Sequence, residues 1–354
     1  MAQLYIDGTR HPRPASRRTA FCDGSHDHHW REGVDIELSH WVPNVTASAF
    51  KADTSTGVAW RFIDAGAPGG YDLVSNDHVD TDGALAALVL LHPQRCAPHR
   101  ATLLQAAAMG DFSAWADAPA RRLFQGLALE RARLQAAGTD PLDLALALHR
   151  LAFDLLEDPS LPVDSAGLQA LQRAADHVDQ GRIGRTLLVP RLVHYTVPAD
   201  LAPATLDDVV NQPRLDRPLH PQAVLPMQVR NRLDAERLQL VSTDRGNGRF
   251  THDLCWPAYA WADTVTLWRP PGMTSTGGEN EYRFELPALR SGCAELQAQE
   301  SAVGRWEMAS TLSVFGALSG RHFPVVMSFM HEGRPAASAL TPQAMAAVLK
   351  TALA

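Results

Sequence analysis

The first pattern along the chain is short and apolar. RTAFCDG, starting at Arg18, reads as a strand that ends in an acid, and VDIELSHW, starting at Val34, reads as a second strand with apolar alternation. Asp53 then precedes Thr54, Ser55, Thr56 and the apolar set Val58, Ala59, Phe62 and Ile63. That spacing predicts a helix packed on a sheet, with Asp53 as its N-cap. After a Gly/Pro turn at 66–70, YDLVSNDHVDTDGALAALVLLHP predicts strand, polar turn and buried helix. From 101 to 158 the period is helical, in three pieces separated by GDFSAWADAP and AGTDP. A further helix at 165–180 leads to a strand, RTLLVPRLV. Alternating strands and helices predict an α/β domain over 1–190, a layered sheet with helices on both faces.

Prolines at 190, 198, 203, 213, 218, 221 and 226 mark 191–223 as a linker, because each removes a backbone donor and fixes φ. The second unit, 224–354, is expected to be a smaller α+β domain. It opens with VLPMQVRNR and RLQLVST as strands and runs through Trp256, Tyr259, Trp261 and Trp268 to a Gly/Ser/Thr-rich loop at 272–280.

Composition narrows the classes. A chain of 354 residues with 45% hydrophobic and 20% charged positions has enough apolar surface for two folded domains and is not disordered. No apolar run approaches the roughly 20 residues a membrane span needs, and the start is polar and basic, so a cytoplasmic protein is expected. A net charge of -7 argues against a protein built to coat nucleic acid. Lys51 and Lys350 are the only lysines, and neither follows a glycine loop, which excludes the P-loop device. Cys22, Cys96, Cys255 and Cys293 lack metal-knuckle spacing and read as reduced structural residues.

The chemistry concentrates at His78-Val79-Asp80-Thr81-Asp82-Gly83, between a strand and an apolar helix. If strand geometry ran on, His78, Asp80 and Asp82 would share one face. Two carboxylates beside a buried helix repel each other and lose hydration, and a divalent cation is the simplest compensation. The plain alternative makes Asp82 a helix cap and His78 and Asp80 solvated turn residues. A calcium loop is excluded, since its first and twelfth positions would be His78 and Val89. A haloacid-dehalogenase-like phosphatase fits Asp-x-Asp-Gly superficially. However, Ala84 stands where that family has Thr, four polar residues precede Asp80, and no lysine follows before Lys350.

The His-x-Asp-x-Asp turn resembles the DHH phosphoesterase superfamily. LSHWVPNVTASAFKADTSTGVAWRFI, with His40, resembles that superfamily's Asp-His-His block and its Ser/Thr-containing helix, and AAAMGDFSAWADAPARRLF its later aspartate motif, here Asp111. The likeness covers roughly residues 18–135. It departs in order, because the Asp-His-His-like block precedes His78, and in residues, because Leu38-Ser39-His40 replaces Asp-His-His. A literal Asp27-His28-His29 lies in a polar loop. The arrangement also resembles an uncharacterised family of bacterial proteins of unknown function.

The resemblance implies two divalent metals, manganese above all with magnesium as the substitute, and hydrolysis of a phosphoester. His78 and Asp80 would hold one metal, Asp82 and His40 the other, with Asp111 and Asp23 completing the shells. Asp80 and Asp82 would be the catalytic carboxylates, and a metal-bound hydroxide would attack phosphorus. Arg230 and Arg232, read as lying at a strand end, are candidates to clamp a substrate phosphate. The expected partner is a small phosphorylated molecule or short oligonucleotide. The competing class is a non-catalytic protein that keeps the fold and binds a ligand without turnover. Asp23-Gly24 also fits a plain turn, His40 a core-edge histidine and Asp111 a helix cap, while His26, His28 and His29 with Asp27 and Asp23 form either a metal-attracting cluster or a solvated loop.

Overall fold

The computed structural model describes residues 2–207, 209–211, 214–278 and 280–353. Pro213 of the expected linker and Glu279 of the 272–280 loop lie outside them. The chain forms two compact units. The first comprises 2–165 with 216–218 and 262–267, the second the remainder from 166 onward.

The first unit is α/β. Its elements are β1 (Gln3–Ile6), β2 (Thr19–Cys22), β3 (Ile36–Leu38), α1 (Ser55–Asp64), β4 (Leu73–Asn76), α2 (Thr81–Leu91), α3 (Pro93–Cys96), α4 (Arg100–Phe112), α5 (Ala118–Ala136) and α6 (Pro141–Glu157). The four strands are parallel in the order β1-β4-β2-β3. Parallel strands must be shielded on both faces, and β2 and β4 are buried along their whole length. α1 and α2 pack on each other, α1 against β3 and α2 against β1, β2 and β4. α2 is buried at every residue from Thr81 to Leu90, which explains why its sequence is apolar all round rather than striped.

The other face departs from the expectation of helices on both sides. Tyr5, Ser75, Phe21 and Glu37 stand in one register and so on one face. Coil covers them. Arg13 lies over the rings of Tyr5 and Phe21, Trp30 packs edge-on to Phe21, and His26 Nδ1 pairs with buried Glu37 at 2.9 Å.

The second unit has α7 (Ala166–Asp179), β5 (Gly184–Val189), β6 (Leu192–Val197), α8 (Met227–Asp234), β7 (Leu238–Asp244), β8 (Phe250–Cys255), β9 (Met273–Ser275), β10 (Glu281–Phe284), α9 (Pro287–Gln299), β11 (Arg305–Met308), β12 (Thr311–Ser313), β13 (Val325–His331), β14 (Arg334–Pro335) and α10 (Pro342–Ala352). A mixed seven-stranded sheet runs β11-β13-β8-β7-β6-β5 with β14 on β13, and a three-stranded antiparallel sheet runs β12-β10-β9. Trp256 and Trp261 are core residues.

Three expectations are corrected here. The division falls at 165/166 rather than 190, and the second unit is not the smaller. The segment expected to be linker contains β6, a central strand paired to β5 and, in parallel, to β7. Pro190 and Pro198 flank that strand without entering it, so neither removes a ladder hydrogen bond. VLPMQVRNR is helix α8, entered from Pro226, and not a strand. None of the four cysteines is in a disulfide.

Candidate metal centre

The site lies at the carboxyl edge of the parallel sheet, where successive strands release their chains toward one spot. Asp23 follows β2 and takes a left-handed backbone, φ 60°. His40 lies two residues past β3, and Asp77 to Asp80 follow β4. Asp82 is in the first turn of α2 and Asp111 in the last turn of α4, so Asp111 is not the cap of a following helix.

Two clusters share Asp23. One ligand atom from each of Asp23, His40, Asp82 and Asp111 lies within 4.8 Å of the others, and the same holds for Asp23, His78 and Asp80. His40 Nε2 stands 3.1 Å from Asp111, 3.6 Å from Asp23 and 3.7 Å from Asp82. His78 Nε2 stands 3.1 Å from Asp80 and 3.3 Å from Asp23. The strand does not run on to 82, as the shared-face reading required. It ends at Asn76, so His78 and Asp80 meet while Asp82, carried by the helix, turns to the other cluster.

Local structure sets each side chain. Asp80 caps α2 by accepting from the Gly83 amide at 2.8 Å, and Asp82 is not the cap. Both Asp82 oxygens accept backbone amides from the first turn of α1, Ser55 at 2.6 Å and Thr56 at 2.8 Å. A carboxylate at a helix N-terminus is thereby fixed by donors that have no helical partner. α1 is capped by Thr54, not Asp53, whose carboxylate instead accepts from the amides of Val265 and Thr266. The Asp53 carbonyl accepts from His40 Nδ1 at 2.6 Å, and Asp77 holds His78 Nδ1 at 2.5 Å. Both histidines therefore have Nδ1 tied back to an oxygen and Nε2 turned to the carboxylates, as metal-ligating histidines do. Gly83 permits the close approach: a Cβ there would stand 2.3 Å from Asn76 Nδ2 and 2.8 Å from Asp23 Oδ2.

The clusters differ in access. His40 is sealed, whereas the His78 side chain is 30% exposed. Burial, then the charge of Asp80, pushes Asp23 up to about 6, against the pull of His78. For His40 burial is the largest influence and acts downward, but the bond to Asp111 and the charges of Asp111, Asp82 and Asp23 outweigh it and hold the imidazole at about 10. Burial and the charges of Asp80 and Asp82 drive Asp111 well above the carboxylate range. Burial would also raise Asp80, yet His78, the Gly83 amide and Arg131 leave it depressed.

Other candidates are not brought into these clusters. His26 pairs with Glu37, His28 lies against His29 with the rings tilted, and Asp27 pairs with Arg13 at 2.5 Å. Arg230 and Arg232 lie on α8 rather than at a strand end. Arg230 Nη1 donates to Gln239 at 2.7 Å, and Arg232 is paired with Asp179. His11, Asp140 and Asp143 form another group, but Asp140 is taken up by capping α6 and by Thr9 and Arg10.

The sequence reading missed Ser55, whose hydroxyl donates to Asp23 at 2.8 Å, although the Thr-Ser-Thr helix start was a signal for it. It also missed Asp216. That residue returns to the first unit from far along the chain, accepting from the Thr81 amide at 2.8 Å and pairing with Arg131 at 2.9 Å, and no local pattern marks it.

Residues 12–145 match a family of unknown function, DUF6687. Neither a curated protein nor a solved structure matches the chain.

Proposed function

We propose that the first unit binds divalent cations, manganese or magnesium, and hydrolyses phosphoric esters in the manner the DHH-like motifs imply. One cation would be held by Asp23, His40, Asp82 and Asp111, the other by Asp23, His78 and Asp80. The observation that carries this is Asp23. It is fully buried, belongs to both clusters, and its Oδ2 makes no hydrogen bond among the described residues, with His78 Nε2 3.3 Å away. A buried carboxylate oxygen in that state is costly unless a cation completes it. Asp23, Asp77, Asp80, Asp82, Asp111 and Asp216 crowd around His40, His78 and Arg131, so acids outnumber the protein's own cations there. The carboxylate oxygens, which dominate both clusters, suit manganese and magnesium, while the imidazoles favour a transition ion such as manganese over magnesium.

Bound cations would supply Lewis acidity toward a phosphoryl group. The chain's residues do the rest. Asp23 spans the two positions, Asp82 locks α1 to α2, the Asp53 carbonyl and Asp77 orient the imidazoles, and burial excludes water from the His40 side. Substrate would enter at the partly exposed His78–Asp80 side, and Asp80 and Asp82 are the carboxylates on which activity would depend.

Metal analysis of the purified protein, followed by a manganese-dependent screen on phosphodiesters, short oligonucleotides and pyrophosphate, tests the reading. Activity should disappear in Asp80→Asn and Asp82→Asn without unfolding, and activity retained in both variants would overturn it. One observation favours a second reading, a protein without turnover. With its imidazole held at about 10, His40 is a buried cation that offsets part of the first cluster's charge by itself. A folded protein that takes up no metal, or takes it up and stays inert across the screen, would support that second reading.

A further inference from the structure

We propose that Arg131, on α5, recognises the phosphoryl group of a small phosphorylated substrate; this rests on the phosphoesterase reading above. Arg131 is 8% exposed. Its Nη1 is pinned 2.9 Å from Asp216 Oδ2 and donates at 3.3 Å to the carbonyl of Val79, the residue between His78 and Asp80. Asp216 in turn accepts from both the amide and the hydroxyl of Thr81, at 2.8 and 2.5 Å, so guanidinium, carboxylate and the start of α2 form one fixed group. The opposite edge of the fork is unused. Nε is buried without a hydrogen bond, while Nη2 makes none to any described residue and is not sealed from solvent.

A buried guanidinium donor left without an acceptor is costly. Arg131 is oriented by Nη1, whose Val79 partner lies between His78 and Asp80, and leaves the Nε and Nη2 donors, which lie side by side, without acceptors among the described residues. That edge matches two oxygens of one phosphoryl group. The surrounding carboxylates and the net charge of -7 disfavour a polyanionic strand, and a single fork offers no track along a backbone. The ligand class is therefore a small molecule with a terminal phosphoryl group. Asp216 acts as a positioning residue through Arg131.

The test uses the full chain with and without manganese, calorimetric titration with inorganic phosphate and phenyl phosphate, and a pentathymidylate lacking terminal phosphate. Arg131→Lys keeps a charge for Asp216 but loses the fork. It should weaken both phosphate probes by about tenfold to a hundredfold with manganese uptake unchanged. The neutral pair Arg131→Gln with Asp216→Asn, which avoids stranding a buried carboxylate, should show the same loss. Unchanged phosphate affinity in both folded variants would overturn the proposal, as would tighter, Arg131-dependent binding of the pentathymidylate. Manganese uptake by the unaltered protein reports separately on the metal reading. If uptake fails but phosphate still binds and is lost in Arg131→Lys, the Arg131 assignment stands alone; if the unaltered protein binds no phosphate in either condition, it falls.

Discussion

Two regions bury histidines and treat them in opposite ways. At the edge of the four-stranded sheet His40 is raised to about 10, because three carboxylates outweigh its burial. In the seven-stranded sheet His194 and His252 are lowered to about 4, chiefly by burial. There the polarity is spent in a closed chain. His194 Nε2 donates to Ser242 Oγ at 2.8 Å, the Ser242 hydroxyl donates to His252 Nδ1 at 2.7 Å, and His252 Nε2 donates to the Leu340 carbonyl at 2.9 Å. His194 Nε2, the Ser242 hydroxyl and both nitrogens of His252 have partners, and burial favours the neutral form of both rings. Burial alone makes a histidine inert; only a surplus of nearby acid makes it a cation or a place for one.

The largest effect that would break this contrast is expected from Asp23→Asn, since asparagine tolerates the left-handed backbone there while removing the shared charge. Manganese uptake at both clusters should fall to background by elemental analysis. The thermal stabilisation given by manganese should vanish with it, whereas retained uptake would dissolve the paired-site reading.

Next comes pH. The folded values of about 4 for His194 and His252 lie below the ordinary 6.5, so the unfolded chain takes up protons first as pH falls. Their contribution is complete above pH 6.5 and is lost between 6.5 and 4, amounting to about 2 kcal/mol for each histidine by pH 5. Urea unfolding at pH 7 and pH 5, followed by a probe in the second unit, measures it, and an unchanged midpoint would refute the neutral relay. Ser242→Ala should cost about 1–3 kcal/mol by leaving two buried ring nitrogens without partners. It should not change manganese uptake, which sharpens the separation of the two regions. The smallest effect is expected from Thr54→Ala, about 1 kcal/mol for a lost cap, detectable as a lower melting temperature and a modestly weakened manganese affinity because the first turn of α1 holds Asp82.

The legible part of this protein is local. The apolar period of α4, α5 and α6 and the short runs that became β2, β3 and β4 could be read directly, because each depends on its own side chains facing a core. The 78–82 turn stood out because acids so close together in sequence need an explanation wherever they fold. The illegible part concerns partners. Asp53 resembled a cap but binds the 265–266 backbone, and the cap passed to Thr54. VLPMQVRNR alternates like a strand yet is helix, since short alternation over a few residues does not distinguish the two once packing decides. β6 hid among prolines that merely flank it.

Sequence alone determined the helical stretches, the strand ends and the presence of an acidic, histidine-bearing turn, all of which follow from side-chain chemistry and spacing within a few residues. Tertiary structure alone decided that Asp23 belongs to two clusters, that Asp82 faces His40 rather than His78, and that Asp216 fixes Arg131 beside them. Those relations join residues far apart in the chain, and only the parallel sheet, by delivering its strand ends to one edge, brings them within a few ångströms.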